Sequence, residues 1–398
     1  MDSAHSGDVS RKAVSTVRAG RKSHDVALLT VDSIQEGIGA SQVLNLAKAI
    51  AARGVGIALV SMEKHAPTDE LIDEVTSANI HWKALPFGRP GPAGAALRVA
   101  RLAARIPKAD VLHCRSDFPV ASAIVANRRP FLWDVRSLWA DQRVAIGGMT
   151  EKSAEYRLMR GLESRAFRSS SAITTLTENA WRVLNERYGL IRKPHAVVST
   201  CVDLSLFIET AMPPTDVLNL MVSGTFNGFY DLDATSRFVN ACRSLGPTNV
   251  SWVRSPDAPR DSLGFEDVVL SVDHSEMPGV VRTVHAGLSI CRWDAGISVT
   301  AAAPTKNAEF LASGRPIVVN DGLGDYASLL TANGAGVVLS DNSEAQLLQG
   351  ARQLRELINS RPTPRRCRLV AEQHFSLRKG VDDLLDLYQM MARGEDRR

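Results

Sequence analysis

The strongest constraint on the fold of this chain is an alternation of short apolar runs with longer amphipathic ones, which proceeds through two series and is interrupted once. Residues 25–31 form a continuous apolar run of buried-strand type, the glycine-bearing turn Gly37-Ile38-Gly39-Ala40-Ser41 follows, and residues 42–53 carry helical spacing. Strand-like runs recur at 56–61, 80–85, 110–113 and 130–135, with helix-like stretches at 95–105 and 118–127 between them. A long amphipathic helix is expected over 151–168, and an apolar run at 172–176 leads into the helix cap Thr177-Glu178-Asn179. Pro213-Pro214 stiffens a break at 209–216, and a second series begins at Val217. Repeated strand-helix units close mostly parallel sheets, so the pattern predicts an α/β protein in two parts.

Composition narrows the function classes. A chain of 398 residues has length for roughly two domains. Its 47 Lys and Arg against 43 Asp and Glu leave +4, too mild a balance to imply a nucleic-acid partner. Cys114, Cys201, Cys242, Cys291 and Cys367 are dispersed, with no C-x-x-C spacing, which argues against a disulfide framework or a zinc site and fits a reducing cytoplasm. No apolar run approaches the ~20 residues of a membrane span, and the first residues lack the apolar core of a signal peptide. The expectation is a cytoplasmic protein, soluble or peripheral at the inner face of the membrane. Residues 1–23, rich in Ser, Arg and Lys, read as a disordered tail or as a basic arm for anionic lipid. Arg98, Arg101 and Arg105 fall at helical spacing, either as a solvated face or as a basic stripe towards a membrane or an anionic acceptor.

The stretch from Pro304 to Pro316 joins helix grammar to anion chemistry. Pro304 suits the start of a helix, Gly314 the residue past its end, and Pro316 forbids continuation. Thr305 and Lys306 then lie in a first turn whose amides and dipole suit a phosphate, and Glu309, one turn on, is placed to accept a sugar hydroxyl. The competing reading is an ion pair between Lys306 and Glu309 on a solvated helix face. A strand expected at 287–292 before the helix and another at 317–320 after it put the helix start at the carboxyl ends of strands, where open α/β sheets bind ligands.

Two polar clusters follow apolar runs of the first series: His113-Cys114-Arg115-Ser116 and Asp134-Val135-Arg136-Ser137-Leu138-Trp139-Ala140-Asp141. Charge at strand ends suits a binding cleft, or else an Asp134 to Arg136 or Arg115 to Asp141 ion pair that shapes loops.

The run PTKNAEFLASGRPIVVNDGLGD, with the strand Gly334-Ala335-Gly336-Val337-Val338 after it, resembles the donor-binding core of retaining glycosyltransferases of the GT-B fold, family 4 type. The resemblance extends over about residues 25 to 392. It implies two Rossmann-like doubly wound domains facing across a cleft: an acceptor-binding domain at 24–208, a linker at 209–216, a nucleotide-sugar domain at 217–376, and a helix at 377–398 crossing back. Glu309 matches the second of two family glutamates eight positions apart, which holds the nucleotide ribose; the first, a contact to the donor sugar, falls on Ala301. A branch of the family with P-x-K-x-x-E shares that loss. Gly37 and Gly39 match a loop facing the donor, and Gly224 a glycine after the first strand of the second domain. Thr225 and Phe226 stand where many relatives carry the Arg and Lys that grip the diphosphate, so Arg254 and Lys306 are expected to supply the charge. His274 lies in the loop that frames the base. Asp134, Arg136, Arg115 and Asp141 are similar to acceptor-side residues, with Asp134 expected beside the reacting hydroxyl. The implied chemistry needs no metal and no cofactor beyond a nucleoside diphosphate sugar; the acceptor, whether glycan, lipid-linked or small molecule, stays open, as does a pathway in cell-surface polysaccharide or secondary metabolism. A GT-B epimerase or a noncatalytic sugar-nucleotide binder are the alternatives.

Overall fold

The computed structural model describes residues 24–224, 228–254, 268–272 and 275–394. Thr225, Phe226, His274 and the expected tail at 1–23 lie outside the described residues.

The first sheet has seven parallel strands: β1 (His24–Leu29), β2 (Ile57–Glu63), β3 (Ile80–Pro86), β4 (Ala109–Arg115), β5 (Phe131–Val135), β6 (Ala172–Thr175) and β7 (His195–Val197), in the order β3-β2-β1-β4-β5-β6-β7. The second has six, also parallel: β8 (Leu218–Gly224), β9 (Thr248–Arg254), β10 (Val268–Ser271), β11 (Ala286–Ser289), β12 (Ile317–Asn320) and β13 (Gly336–Leu339), in the order β10-β9-β8-β11-β12-β13. Helices cover both faces of such sheets, which is why the central strands read as unbroken apolar runs. Alternation still decides which side chain meets which layer: in β1, Ala27 and Leu29 enter one apolar cluster while Val26 and Leu28 enter the other.

The chain leaves the first sheet after β7 and returns at its end. The helix Leu377–Arg393 buries Leu384, Leu387, Tyr388 and Met391 against Val26, Leu28 and Leu59 of the first sheet. Both crossings are stitched by backbone bonds, Val202 N to Phe375 O at 2.8 Å and Leu377 N to Val202 O at 3.0 Å. The buried Arg315 guanidinium holds the outgoing segment by donating to Thr210 O, Thr210 Oγ1 and Ala211 O at 2.7 to 3.0 Å.

Of the two readings of Arg98, Arg101 and Arg105, a solvated face or a basic stripe, neither holds for Arg98. Arg98 is buried, donates to Arg89 O at 2.8 Å and stacks 4.4 Å from the Phe87 ring, and Arg101 is turned to Pro86 O at 3.3 Å. A guanidinium lying over an aromatic ring packs its own helix rather than presenting charge.

Candidate functional site

The second sheet winds outward in both directions from the β8/β11 neighbours, and at such a reversal the carboxyl ends of the strands leave a crevice. Gly224 ends β8, and Arg254, buried at the end of β9, is in register with it. The helix Thr305–Ala312 begins at this crevice, with Pro304 as its N-cap and Gly314, at φ +77°, just beyond its C-cap Ser313. Lys306 reaches across: its Nζ donates to Ser223 O at 2.6 Å and lies 3.9 Å from the Tyr230 ring centroid. Gly224 has φ +135°, a conformation that side-chain-bearing residues rarely adopt, and a Cβ there would make an ordinary contact, 3.6 Å, with that ammonium. Thr305 opens the helix, one residue before Lys306.

Every residue from Lys306 to Ala312 is buried, which overturns the reading of Lys306 and Glu309 as a solvated surface pair. Phe310 anchors the helix on β11, and the fit is close: a Cβ at Gly287 would fall 2.2 Å from the Phe310 ring. Burial sets the electrostatics. It lowers the Lys306 ammonium to about 8, against the opposing pull of Cys291 and Glu309, and raises the Glu309 carboxyl to about 7, against the pull of Lys306. Two ionisable groups one helical turn apart are thus held, both desolvated, beside the carboxyl ends of the strands. The sequence analysis missed Tyr230. Its only signal is an aromatic residue shortly after the first strand of the second series, at the place where the resemblance implies cations.

The matching reversal in the first sheet lies between β1 and β4. Asp134, at the end of β5, is almost wholly enclosed and accepts from His113 Nε2 at 3.2 Å, Thr174 Oγ1 at 3.0 Å, Arg136 at 3.3 Å and Arg115 at 3.5 Å. The Tyr388 hydroxyl, on the returning C-terminal helix, lies 2.6 Å from His113 Nδ1, a pattern met by an imidazole carrying its proton on Nε2. Arg115 also donates to Asp32 Oδ2 at 3.1 Å, across the β1/β4 boundary. Burial would raise the Asp134 pKa, yet Arg136, His113 and Arg115 hold it far below the usual carboxylate range.

Arg115, Asp134 and Arg136 are thus brought together, and the Asp134 to Arg136 ion pair weighed from the sequence is present. Asp141 is not part of that cluster, which corrects the expectation of one four-residue patch. Its carboxylate is taken by Arg187 at 2.8 Å and the Tyr156 hydroxyl at 3.2 Å, in a separate polar network with Glu163 and Tyr188 among the helices covering the sheet. The helix Trp139–Ala145 carries it to that layer.

The glycine loop sits at the carboxyl end of β1. Gly37 has φ +54°, and a Cβ on Gly39 would lie 1.7 Å from Ser33 O, so the turn closes only with glycine there. Glu63, at the end of β2, holds the loop by accepting from Ser33 Oγ, Ile34 N and Gln35 Nε2 at 2.5 to 3.2 Å.

The two domains touch through the segment before the Lys306 helix and through the turn after β12. Thr177 Oγ1 donates to Thr300 O at 2.7 Å, and Asn179 Nδ2 to Gly324 O at 2.6 Å. Asp325 accepts from Glu178 N and Asn179 N at 2.7 and 3.2 Å, so a carboxylate of one domain caps the helix Glu178–Tyr188 of the other. Ala301 is 1% exposed and packs into the apolar cluster of the first domain. A carboxylate at position 301 would be buried there without solvent, which gives a physical reason for the small residue.

Similarity to known proteins agrees with this architecture. Residues 39–206 match the family described as Glycosyltransferase Family 4. No curated protein sequence matches the chain. Among solved structures, sucrose-phosphate synthase from Thermosynechococcus elongatus superposes with a TM-score of 0.70 at 13% identity, covering 93% of this chain and 99% of that one. The fold is GT-B. A glycosyltransferase from Rickettsia africae shares this GT-B architecture at TM-score 0.67 and 13% identity, over 94% of this chain and 100% of that one. So does HepE from Anabaena, solved with UDP and glucose, at TM-score 0.62 and 11% identity, over 92% and 99% of the two chains. In GT-B terms the Lys306 crevice belongs to the second domain and the Asp134 cluster to the first.

Proposed function

We propose that this protein transfers a glycosyl group from a nucleoside diphosphate sugar to an acceptor hydroxyl, with retention of anomeric configuration. The observation that carries the reading is the buried Lys306 and Glu309 pair at the switch point of the second sheet. The match of residues 39–206 to Glycosyltransferase Family 4 supports it, as do the UDP and glucose bound by the structurally similar HepE.

Lys306, Arg254 and the N-terminus of the 305–312 helix hold the diphosphate, whose charge grows as the anomeric C–O bond breaks. Glu309 accepts from a ribose hydroxyl. The acceptor oxygen attacks from the face the phosphate leaves, and its proton passes to the departing phosphate oxygen, so no protein carboxylate has to serve as nucleophile. On the acceptor side, Arg115 and Arg136 present donors to the acceptor, and Asp134 fixes both guanidiniums.

A panel of nucleotide sugars tests the reading through donor turnover without acceptor. Slow release of free sugar is expected from a transferase. An altered donor sugar identifies an epimerase, and binding without turnover a noncatalytic binder.

A further inference from the structure

All strands of the first sheet run parallel, so the edge where they begin lies opposite the edge that carries Asp134 and Arg115. At that starting edge a recess of about 860 Å³ opens between the turns entering β4 to β7 and the end of the 377–393 helix. Among the described residues its ionisable lining is Arg129, Arg168, Arg192, Lys193 and Arg393 against Asp110. The whole chain balances 47 cations with 43 anions, so this edge is a local concentration of one sign. Lys193 is fixed in place by donating to Phe167 O at 2.6 Å and Ser170 O at 2.8 Å. Arg129, Arg168 and Arg192 are exposed and form no ion pair with a described acidic residue. Arg129, Arg168 and Arg192, gathered around one depression, repel one another and attract an anion.

A second observation specifies the anion. Leu190 is 91% exposed in the turn that brings in Arg192 and Lys193, and Val125 is 68% exposed four residues before Arg129. Aliphatic side chains standing in solvent beside cations suit an interface with phosphate on its surface and hydrocarbon beneath.

We propose that the starting edge of the first sheet docks this protein on an anionic lipid surface, with headgroup phosphates in the recess and Leu190 in the interface. This attachment is separate from the candidate acceptor cluster and does not depend on the glycosyl-transfer reading.

The test is co-sedimentation of the full-length protein with phosphatidylcholine vesicles, with and without phosphatidylglycerol, at low and at physiological salt. Binding is expected only to the anionic vesicles and weaker at the higher salt. The triple variant Arg129→Gln/Arg168→Gln/Arg192→Gln is expected to lower the partition coefficient at least tenfold, and Leu190→Asp several-fold, with unchanged melting temperatures. A control of equal charge, Arg352→Gln/Arg361→Gln/Arg378→Gln, should bind like the parent. Absence of vesicle binding, equal loss in the control, or an undiminished triple variant overturns the proposal. Saturable binding of inorganic pyrophosphate without vesicle binding also overturns it, in favour of a free-anion site.

Discussion

At Lys306 and Glu309 the same desolvation that distorts both titrations prepares the site for a ligand. Glu309→Ala is expected to weaken nucleotide-sugar binding by about 1.5–3 kcal/mol, the range for hydrogen bonds to charged groups, measured by calorimetry. Lys306→Ala and Arg254→Ala should lower kcat more than donor affinity, because their charge matters most as the diphosphate departs. A pure rise in KM for either variant would make that residue a uniform binder. The pH dependence has a definite sign. Glu309 ionises as pH rises through about 7, and Lys306 loses its proton above about 8, so donor affinity should peak between the two. An anionic diphosphate favours protonated Lys306, so the alkaline limb moves upward in the complex. Glu309→Gln should abolish the acidic limb alone, as a pH series of titrations would reveal.

The 305–312 helix is positioned by its contact with β11, where Gly287 leaves room for Phe310 and no more. Gly287→Ala should cost about 1–3 kcal/mol in overpacking, read as a lower denaturation midpoint, and should weaken donor binding because Lys306 moves with the helix. In the first domain, Asp134→Ala strips the carboxylate from Arg136 and leaves Arg115 with Asp32 alone, and should destabilise by about 3–5 kcal/mol. Loss of transfer in that variant counts for the acceptor cluster only where the melt shows a folded protein with donor affinity retained. Much of this was legible in the sequence. The helix bounded by Pro304 and Gly314 has local signals for both ends, and Arg115, Asp134 and Arg136 follow apolar strand runs directly. Asp141 was misplaced because it is carried off the strand end by the helix turn at 139–145, and its partners Tyr156 and Arg187 lie 15 and 46 residues away. Glu63, Tyr230 and Tyr388 went unseen for the same reason: each acts across 28 residues or more, on Gln35, Lys306 and His113, and no local pattern marks such a contact.

At the scale of the whole molecule, the two sheets meet through Thr177, Asn179 and Asp325, and the returning helix ties Tyr388 to the first domain's polar cluster. Asp325→Ala removes the cap that one domain places on a helix of the other and should cost about 0.5–2 kcal/mol. Small-angle scattering should then show a larger radius of gyration, with transfer slowed and nucleotide affinity kept, since the Lys306 site lies within the second domain. The account's central claim is that this site holds the diphosphate and ribose of a nucleotide sugar. Its most direct test is calorimetric titration of a panel of nucleoside diphosphates into the parent protein and Glu309→Ala. At least one nucleoside diphosphate should bind the parent, with affinity lowered at least tenfold in the variant. Equal affinities in the two proteins, or no binding to the parent by any member of the panel, would contradict the claim.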